Sequence, residues 1–230
     1  MKRLQHILLL IAFAVGMASC NKTPMDTTVR FSILGDSYST FEGYVDPEDN
    51  AVWYKLPPNN HIDVISVEQM WWYQVMQAKE WDLERNNSFS GSLICNMNAA
   101  NYYGPYSFLR RMDNLGNPNV ILVFGGTNDI WNEVPFGEYK YCGWTDEELC
   151  TFRPALAKMC DGLIRLYPNA KIYFMYDNDL GDEASESVHT ILDHYGLPCI
   201  DLRDIRKSWS HPTAEGMTSI ASQVLEVVNS

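Results

Sequence analysis

Short apolar runs alternate with longer stretches in which apolar residues recur at helical spacing. Val29 to Leu34 is a short, largely apolar strand that runs straight into Gly35. Val67 to Trp81 has helical periodicity, with Met70, Trp71, Trp72 and Val75 on the inward face. Asn119 to Phe124 reads Asn-Val-Ile-Leu-Val-Phe, the near-continuous apolar run of a strand buried on both faces. Thr145 followed by Glu148 is a capping-box pattern, and the helix it opens continues through Leu149, Leu156 and Leu163 towards Tyr167. Lys171 to Tyr176 predicts a strand, Asp182 to Tyr195 a helix, Leu197 to Leu202 a last strand and Thr213 to Val228 a closing amphipathic helix. Strands separated by helices predict βαβ units and one three-layer α/β domain with a mostly parallel sheet. Residues 44–66 and 130–144 lack such periodicity, are rich in aromatic and turn residues, and suit the walls of a cleft.

The first residues follow a different logic. Lys2 and Arg3 precede an unbroken apolar run from Ile7 to Val15, and small residues then lead to Cys20. About 20 apolar residues are needed to cross a bilayer as a helix, so this run predicts a secretory signal instead. Met17-Ala18-Ser19-Cys20 resembles a bacterial lipobox, in which the cysteine is lipidated and becomes the mature N-terminus. The expected organisation is a signal peptide over 1–19, a polar tether over 20–28 and one domain over 29–230. The protein is expected to be exported and lipid-anchored to a bacterial membrane, on its periplasmic or cell-surface face.

Charge narrows the partners. The formal net charge of -12 becomes two units more negative once Lys2 and Arg3 are removed, and such a surface repels nucleic-acid phosphates. Beyond Cys20 the chain has Cys95, Cys142, Cys150, Cys160 and Cys199, an odd number without a CxxC pattern; Cys142 and Cys150 are the pair that could bridge. His189, Asp193 and His194 do not share a helix face well, so no metal site is expected.

The chemistry-bearing residues lie where strands end. Gly35-Asp36-Ser37 follows the first strand, at the rim where open α/β sheets place their sites. Gly91 closes the block Asn86-Asn87-Ser88-Phe89-Ser90-Gly91. Gly125-Gly126-Thr127-Asn128-Asp129 follows the strand ending at Phe124, where Asn128 can project an amide donor. His211-Pro212 lies between the last strand and the last helix. A serine hydroxyl needs a base to become a nucleophile, and a neutral imidazole suits that task near neutral pH.

Together the four blocks resemble those of the SGNH (GDSL-like) hydrolase family, in the family's order Ser, Gly, Asn, His, over about Phe31 to Met217. The resemblance implies a flavodoxin-like sandwich and a serine esterase working through an acyl-enzyme, with Ser37 as nucleophile and His211 as base. It also implies an oxyanion hole made by the N–H groups of Ser37 and Gly91 and the amide of Asn128, with no cofactor. The family usually places an aspartate three residues before the histidine, but this chain has Ser208 there. Either Asp204 replaces it, or a Ser–His dyad uses a backbone carbonyl such as that of Ser208. Among the aromatic residues of the irregular stretches, Trp131, Trp53 and Tyr54 are the candidate substrate contacts, with Tyr139, Tyr141 and Trp144 nearby in sequence. Rings with few aliphatic neighbours suit sugars, so the expected substrate is an acetylated poly- or oligosaccharide. The alternatives are a lysophospholipase, thioesterase or general short-chain esterase, and a non-catalytic glycan-binding lipoprotein.

Overall fold

A computed structural model describes residues 28–57, 62–97 and 106–229. Five parallel strands form one sheet in the order β2-β1-β3-β4-β5, comprising β1 (Arg30–Gly35), β2 (Asp82–Ser88), β3 (Val120–Phe124), β4 (Lys171–Asp177) and β5 (Cys199–Leu202). This is the doubly wound order of flavodoxin-like sandwiches, whose crevice opens where the chain direction of winding reverses, here between β1 and β3.

The period-2 alternation of strand side chains splits the core into two layers. In β3, Ile121 and Val123 pack with α4 (Phe152–Leu166) and α5 (Asp182–Tyr195). Val120, Leu122 and Phe124 pack on the other side with α1 (Trp71–Lys79) and α6 (Ala214–Val228). All five residues of β3 are buried, as an interior parallel strand requires. Two short helices, α2 (Phe108–Arg111) and α3 (Thr127–Trp131), and a small antiparallel hairpin of β6 (Lys207–Ser208) and β7 (His211–Pro212) complete the regular elements described.

The expected elements shift in detail. The Val67–Trp81 stretch begins as a 3₁₀ turn at Val67–Gln69 before α1 starts at Trp71. The Thr145–Glu148 capping box forms, with each residue's side chain accepting the other's backbone N–H, but it caps a 3₁₀ turn, and α4 begins only at Phe152. Strand β2, Asp82–Ser88, adds a strand to those expected from the sequence. Cys142 and Cys150 are both free, so the possible bridge between them is not formed. Among the described residues no helix is long and apolar enough to cross a membrane. The expected signal segment and Cys20 lie outside the described residues.

Candidate active site

Register brings the site together. Gly35 stands beside Ser88 on one flank and beside Phe124 on the other, so the segments after β1, β2 and β3 leave the sheet at one rim. They carry Ser37, Gly91 and Asn128. Gly35 is required by packing: a Cβ there would lie 2.6 Å from Ser88 Oγ and 2.7 Å from Ser39 Oγ. Gly91 has φ +81°, a left-handed conformation that costs a residue with a side chain.

Ser37 opens a buried 3₁₀ turn, Ser37–Ser39, capped by Asp36, whose Oδ1 accepts from the Tyr38 N–H at 3.0 Å. The turn is held from below by α1. Trp71 Nε1 donates to the Tyr38 carbonyl at 3.1 Å and Trp72 Nε1 to the Ser39 carbonyl at 3.0 Å. The two buried tryptophans, readable from sequence only as core, therefore also fix the nucleophile's backbone. Arg111, buried beneath the turn, donates to the Gly35 carbonyl at 3.1 Å and to Ser92 Oγ at 2.9 Å. Burial pushes the Asp36 carboxyl up to about 7, against the opposing pull of the Tyr38 N–H and the Arg111 charge.

Ser37 Oγ lies 2.9 Å from His211 Nε2, and His211 Nδ1 lies 2.9 Å from the carbonyl oxygen of Trp209. The second contact makes Nδ1 the donor and leaves Nε2 as the acceptor facing the serine. Burial lowers the imidazole's pKa below its usual 6.5, opposed by the Trp209 carbonyl, so the ring is neutral at pH 7. Of the two alternatives, Asp204 does not orient the ring: it is solvent-exposed, and the nitrogen it would orient is already bonded to a carbonyl. The carbonyl is that of Trp209, not Ser208. Ser208 pairs with His211 directly across the hairpin.

The hairpin is tied down by side chains that sequence reasoning did not single out for this role. Tyr38 Oη donates to the Ser210 carbonyl at 2.6 Å, and Tyr54 Oη to the Pro212 carbonyl at 2.8 Å. Lys207 Nζ lies 2.6 Å from Asp177 Oδ2, a charge contact rather than an aligned hydrogen bond, and 3.2 Å from Asp179. A lysine two residues after a charged turn carried no signal that it would reach across to the end of β4.

Asn128, at the start of α3, donates from Nδ2 to the Ser92 carbonyl at 3.0 Å, with a longer 3.4 Å contact to Asp36. Asp129 accepts the N–H groups of Ile94 and Cys95 at 2.8 and 3.1 Å. These bonds pin the segment after Gly91 to α3, which fixes two of the expected oxyanion donors relative to one another. Burial raises the Asp129 carboxyl to about 6, and its N–H donors pull it back down.

The candidate substrate contacts divide. Trp131 is 45% exposed, with its ring edge-on to His211 at 6.5 Å. Trp53 is half-buried and stacks directly on the imidazole. Tyr54 is fully buried and bonded to Pro212, so it supports the hairpin and cannot line a substrate cleft. Trp209, 67% exposed and itself in the hairpin turn, is an aromatic residue outside the sequence-based candidates. Tyr141 stacks on His194 and Tyr139 lies against Arg153, both local packing. One donor trio on α5 and β5 brings His189, Cys199 and Asp201 within 4.8 Å. It is satisfied internally: His189 bonds Asp201 Oδ1 at 3.0 Å, and the Cys199 thiol donates to the same oxygen at 3.7 Å.

A GDSL-like lipase/acylhydrolase family model matches residues 29–228. A GDSL-like lipase structure from Bacteroides ovatus is 46% identical, covering 88% of this chain and 99% of its own, with a TM-score of 0.85. A second, from Bacteroides uniformis, is 45% identical over 88% and 96%, with a TM-score of 0.84. An acetyl xylan esterase from Butyrivibrio proteoclasticus shares the fold at 18% identity, over 90% of this chain and 65% of its own, with a TM-score of 0.56. No curated protein sequence matches.

Proposed function

This chain belongs to the GDSL-like lipase/acylhydrolase family and is an ester-bond hydrolase; from that premise we propose that it works as a Ser37–His211 dyad that removes acetyl groups from carbohydrates. The observation that carries the dyad is the chain of contacts Ser37 Oγ–His211 Nε2–Nδ1–Trp209 O, each 2.9 Å long where hydrogen-bonded.

In the first half-reaction Ser37 Oγ attacks the ester carbonyl carbon while its proton passes to His211 Nε2. The carbonyl electron pair moves to oxygen, which faces the N–H groups of Ser37 and Gly91 and the Asn128 amide. Asn128 spends one hydrogen on the Ser92 carbonyl; its contact to Asp36 is long enough to yield the other to the oxyanion. Collapse breaks the bond to the alkoxy oxygen, which leaves as an alcohol with the proton from Nε2. Water then attacks the acyl-enzyme, gives its proton to Nε2, and the bond to Ser37 Oγ breaks as Ser37 takes that proton back. His211 must be neutral to begin either half, so kcat/KM should fall as pH drops, with the acid limb centred below 6.5.

Exposed Trp131, whose ring lies 6.5 Å from that of His211, and exposed Trp209 in the hairpin turn support a sugar substrate, since ring faces stack on pyranose rings. A fluorophosphonate probe should modify Ser37 alone, and Ser37→Ala should abolish labelling and lower turnover by ~10³-fold or more. An adduct on another serine would sink the assignment. Acetylated xylan should be hydrolysed faster than long-chain p-nitrophenyl esters; the reverse order would assign a lipase or lysophospholipase. We further propose that Cys20 carries a lipid anchor. Labelled palmitate should tag the wild type, and Cys20→Ala should release the protein from membranes; an untagged wild type would remove the anchor.

A further inference from the structure

Taking a proton from Ser37 creates an imidazolium, and among the described residues no carboxylate hydrogen-bonds to His211. A neutral carbonyl orients the ring but brings no full negative charge to it. The other group in close contact is Trp53, whose ring lies 3.6 Å from that of His211 with the planes only 6° apart. Tyr38, Tyr54 and Trp131 meet the imidazole steeply inclined, at 5.4, 6.4 and 6.5 Å. Trp53 is thus the ring stacked in parallel on it. An aromatic face carries the negative side of the ring quadrupole, and it attracts a cation most strongly when both are out of water.

The indole is fixed in place by the same contacts that fix the dyad. The Trp53 backbone N–H donates to Thr40 Oγ1 at 2.9 Å, and Thr40 Oγ1 donates to the Ser37 carbonyl at 3.0 Å. The following residue, Tyr54, reaches the Pro212 carbonyl. Residues 53–54 therefore clasp the nucleophile turn and the histidine hairpin together. Meanwhile Trp53 Nε1 is buried without a hydrogen-bond partner. The indole N–H thus does not hold the ring in place, and its position is set by the backbone bond and the stack on His211.

We propose that Trp53 is a positioning residue that stands in for the absent acid: its face holds the His211 plane so that Nε2 meets Ser37, and it stabilises the imidazolium by a cation–π contact. The proposal rests on the Ser37–His211 reading. Among the described residues the side chains in contact with the ring are Ser37, Tyr38, Trp53, Tyr54 and Trp131, none of them charged near pH 7, and the buried Asp36 carboxyl bonds the Tyr38 N–H and Asn128 rather than the imidazole.

The test compares Trp53→Leu with Trp53→Phe. Leucine fills space without a π face, and kcat/KM should fall roughly tenfold to thirtyfold, carried by kcat with KM little changed. Phenylalanine keeps a face and should recover activity to within about threefold of wild type. The His211 titration, followed by NMR of labelled histidine, should shift to lower pH in the leucine variant, because the cation loses its support while the ring stays dry. A role limited to packing would let water reach the ring and move the titration up. Equal losses in both variants, or an unchanged or raised His211 pKa with leucine, would overturn the proposal. Should Trp53→Leu fail to fold, Trp53→Met carries the same expectations. Wild-type protein that is not labelled at Ser37 by fluorophosphonate would refute the esterase reading, while the titration comparison would still decide the stack.

Discussion

The turn that carries Ser37 follows an interior strand of the main sheet, whereas the hairpin that carries His211 has two residues on each side and pairs with no other described strand. The serine turn is buried, capped by Asp36 and held by two indole N–H groups and Arg111, all from elements packed in the core. The histidine hairpin hangs from a few polar contacts at its margin: two tyrosine hydroxyls, one lysine and the Arg206 carbonyl that accepts the Thr213 N–H. Its two turn residues, Trp209 and Ser210, both have positive φ, at 51° and 61°. A two-residue hairpin of type I′ demands this, and Asn-Gly is the usual solution. Here the left-handed pair is Trp-Ser, and the conformation turns the Trp209 carbonyl towards His211 Nδ1. The nucleophile is thus placed by the fold itself, and the base by local contacts that could open without unfolding the sheet.

Perturbing the serine side of this contrast should cost the most activity. Asn128 links the segment after β3 to the segment after β2, and Asn128→Ala removes both an expected oxyanion donor and the Ser92 tie. A fall of ~10²–10³ in kcat is expected, the effect of losing one such donor. Steady-state kinetics on a short-chain acetyl ester would check it; a loss of less than tenfold would take Asn128 out of the oxyanion hole.

Perturbing the hairpin side should act through stability first. Lys207→Met strands the buried carboxylate of Asp177, a loss of about 3 kcal/mol for a broken buried pair. Adding Asp177→Asn removes the stranded charge and should recover part of that loss. Urea unfolding would give both values, and amide exchange should speed up in residues 207–212 before it does in β1. Uniform acceleration across the sheet would show that the hairpin is not a separate unit. Asp204→Asn should do less still. Replacing a true triad acid costs ~10⁴ in kcat, but Asp204 is exposed and away from Nδ1, so kcat/KM should change less than tenfold. A loss beyond a hundredfold in folded protein would return Asp204 to the relay.

What was legible in the sequence follows the same division. Strands β1, β3, β4 and β5 are apolar runs, and α5 matched its expected bounds because an amphipathic stripe and a terminal Gly196 in the left-handed region mark both its face and its end. Ser37, Asn128 and His211 could be picked out because each follows an expected strand, whereas Gly91 stood only on its place in the family's order of blocks. Strand β2 was missed because its sequence is Asp-Leu-Glu-Arg-Asn-Asn-Ser: it is an edge strand, and its buried members are polar. Asn86 and Asn87 satisfy themselves through the Ser39, Arg111 and Asn114 carbonyls, contacts that no periodicity encodes. The hairpin was invisible for a related reason. It has too few residues to show alternation, its turn uses Trp-Ser in place of a glycine signal, and the atom that orients His211 is a backbone oxygen, which every residue type supplies equally.

The smallest expected effect tests the strain at that turn. A residue with a Cβ in the left-handed region costs roughly 1–2 kcal/mol, whereas glycine adopts it freely but loses more freedom on folding, about 0.5–1 kcal/mol. Ser210 is solvent-exposed, and its contribution to the site is its carbonyl, which accepts from Tyr38 and is unchanged by substitution. Ser210→Gly should therefore stabilise the protein by about 0.5–1 kcal/mol, a rise of a few degrees at most in Tm for a domain of about 200 residues. The Trp209 carbonyl stays where it is, so kcat/KM should remain within about twofold, well inside the effect of one lost hydrogen bond. Trp209→Gly relieves the same backbone but removes an exposed indole from the hairpin turn, so a loss of activity on acetylated xylan without a loss on small acetyl esters would mark that ring as a sugar contact. A lowered Tm for Ser210→Gly would mean that the hairpin holds its positive φ angles without strain, and the contrast between a robust nucleophile and a strained base would not stand.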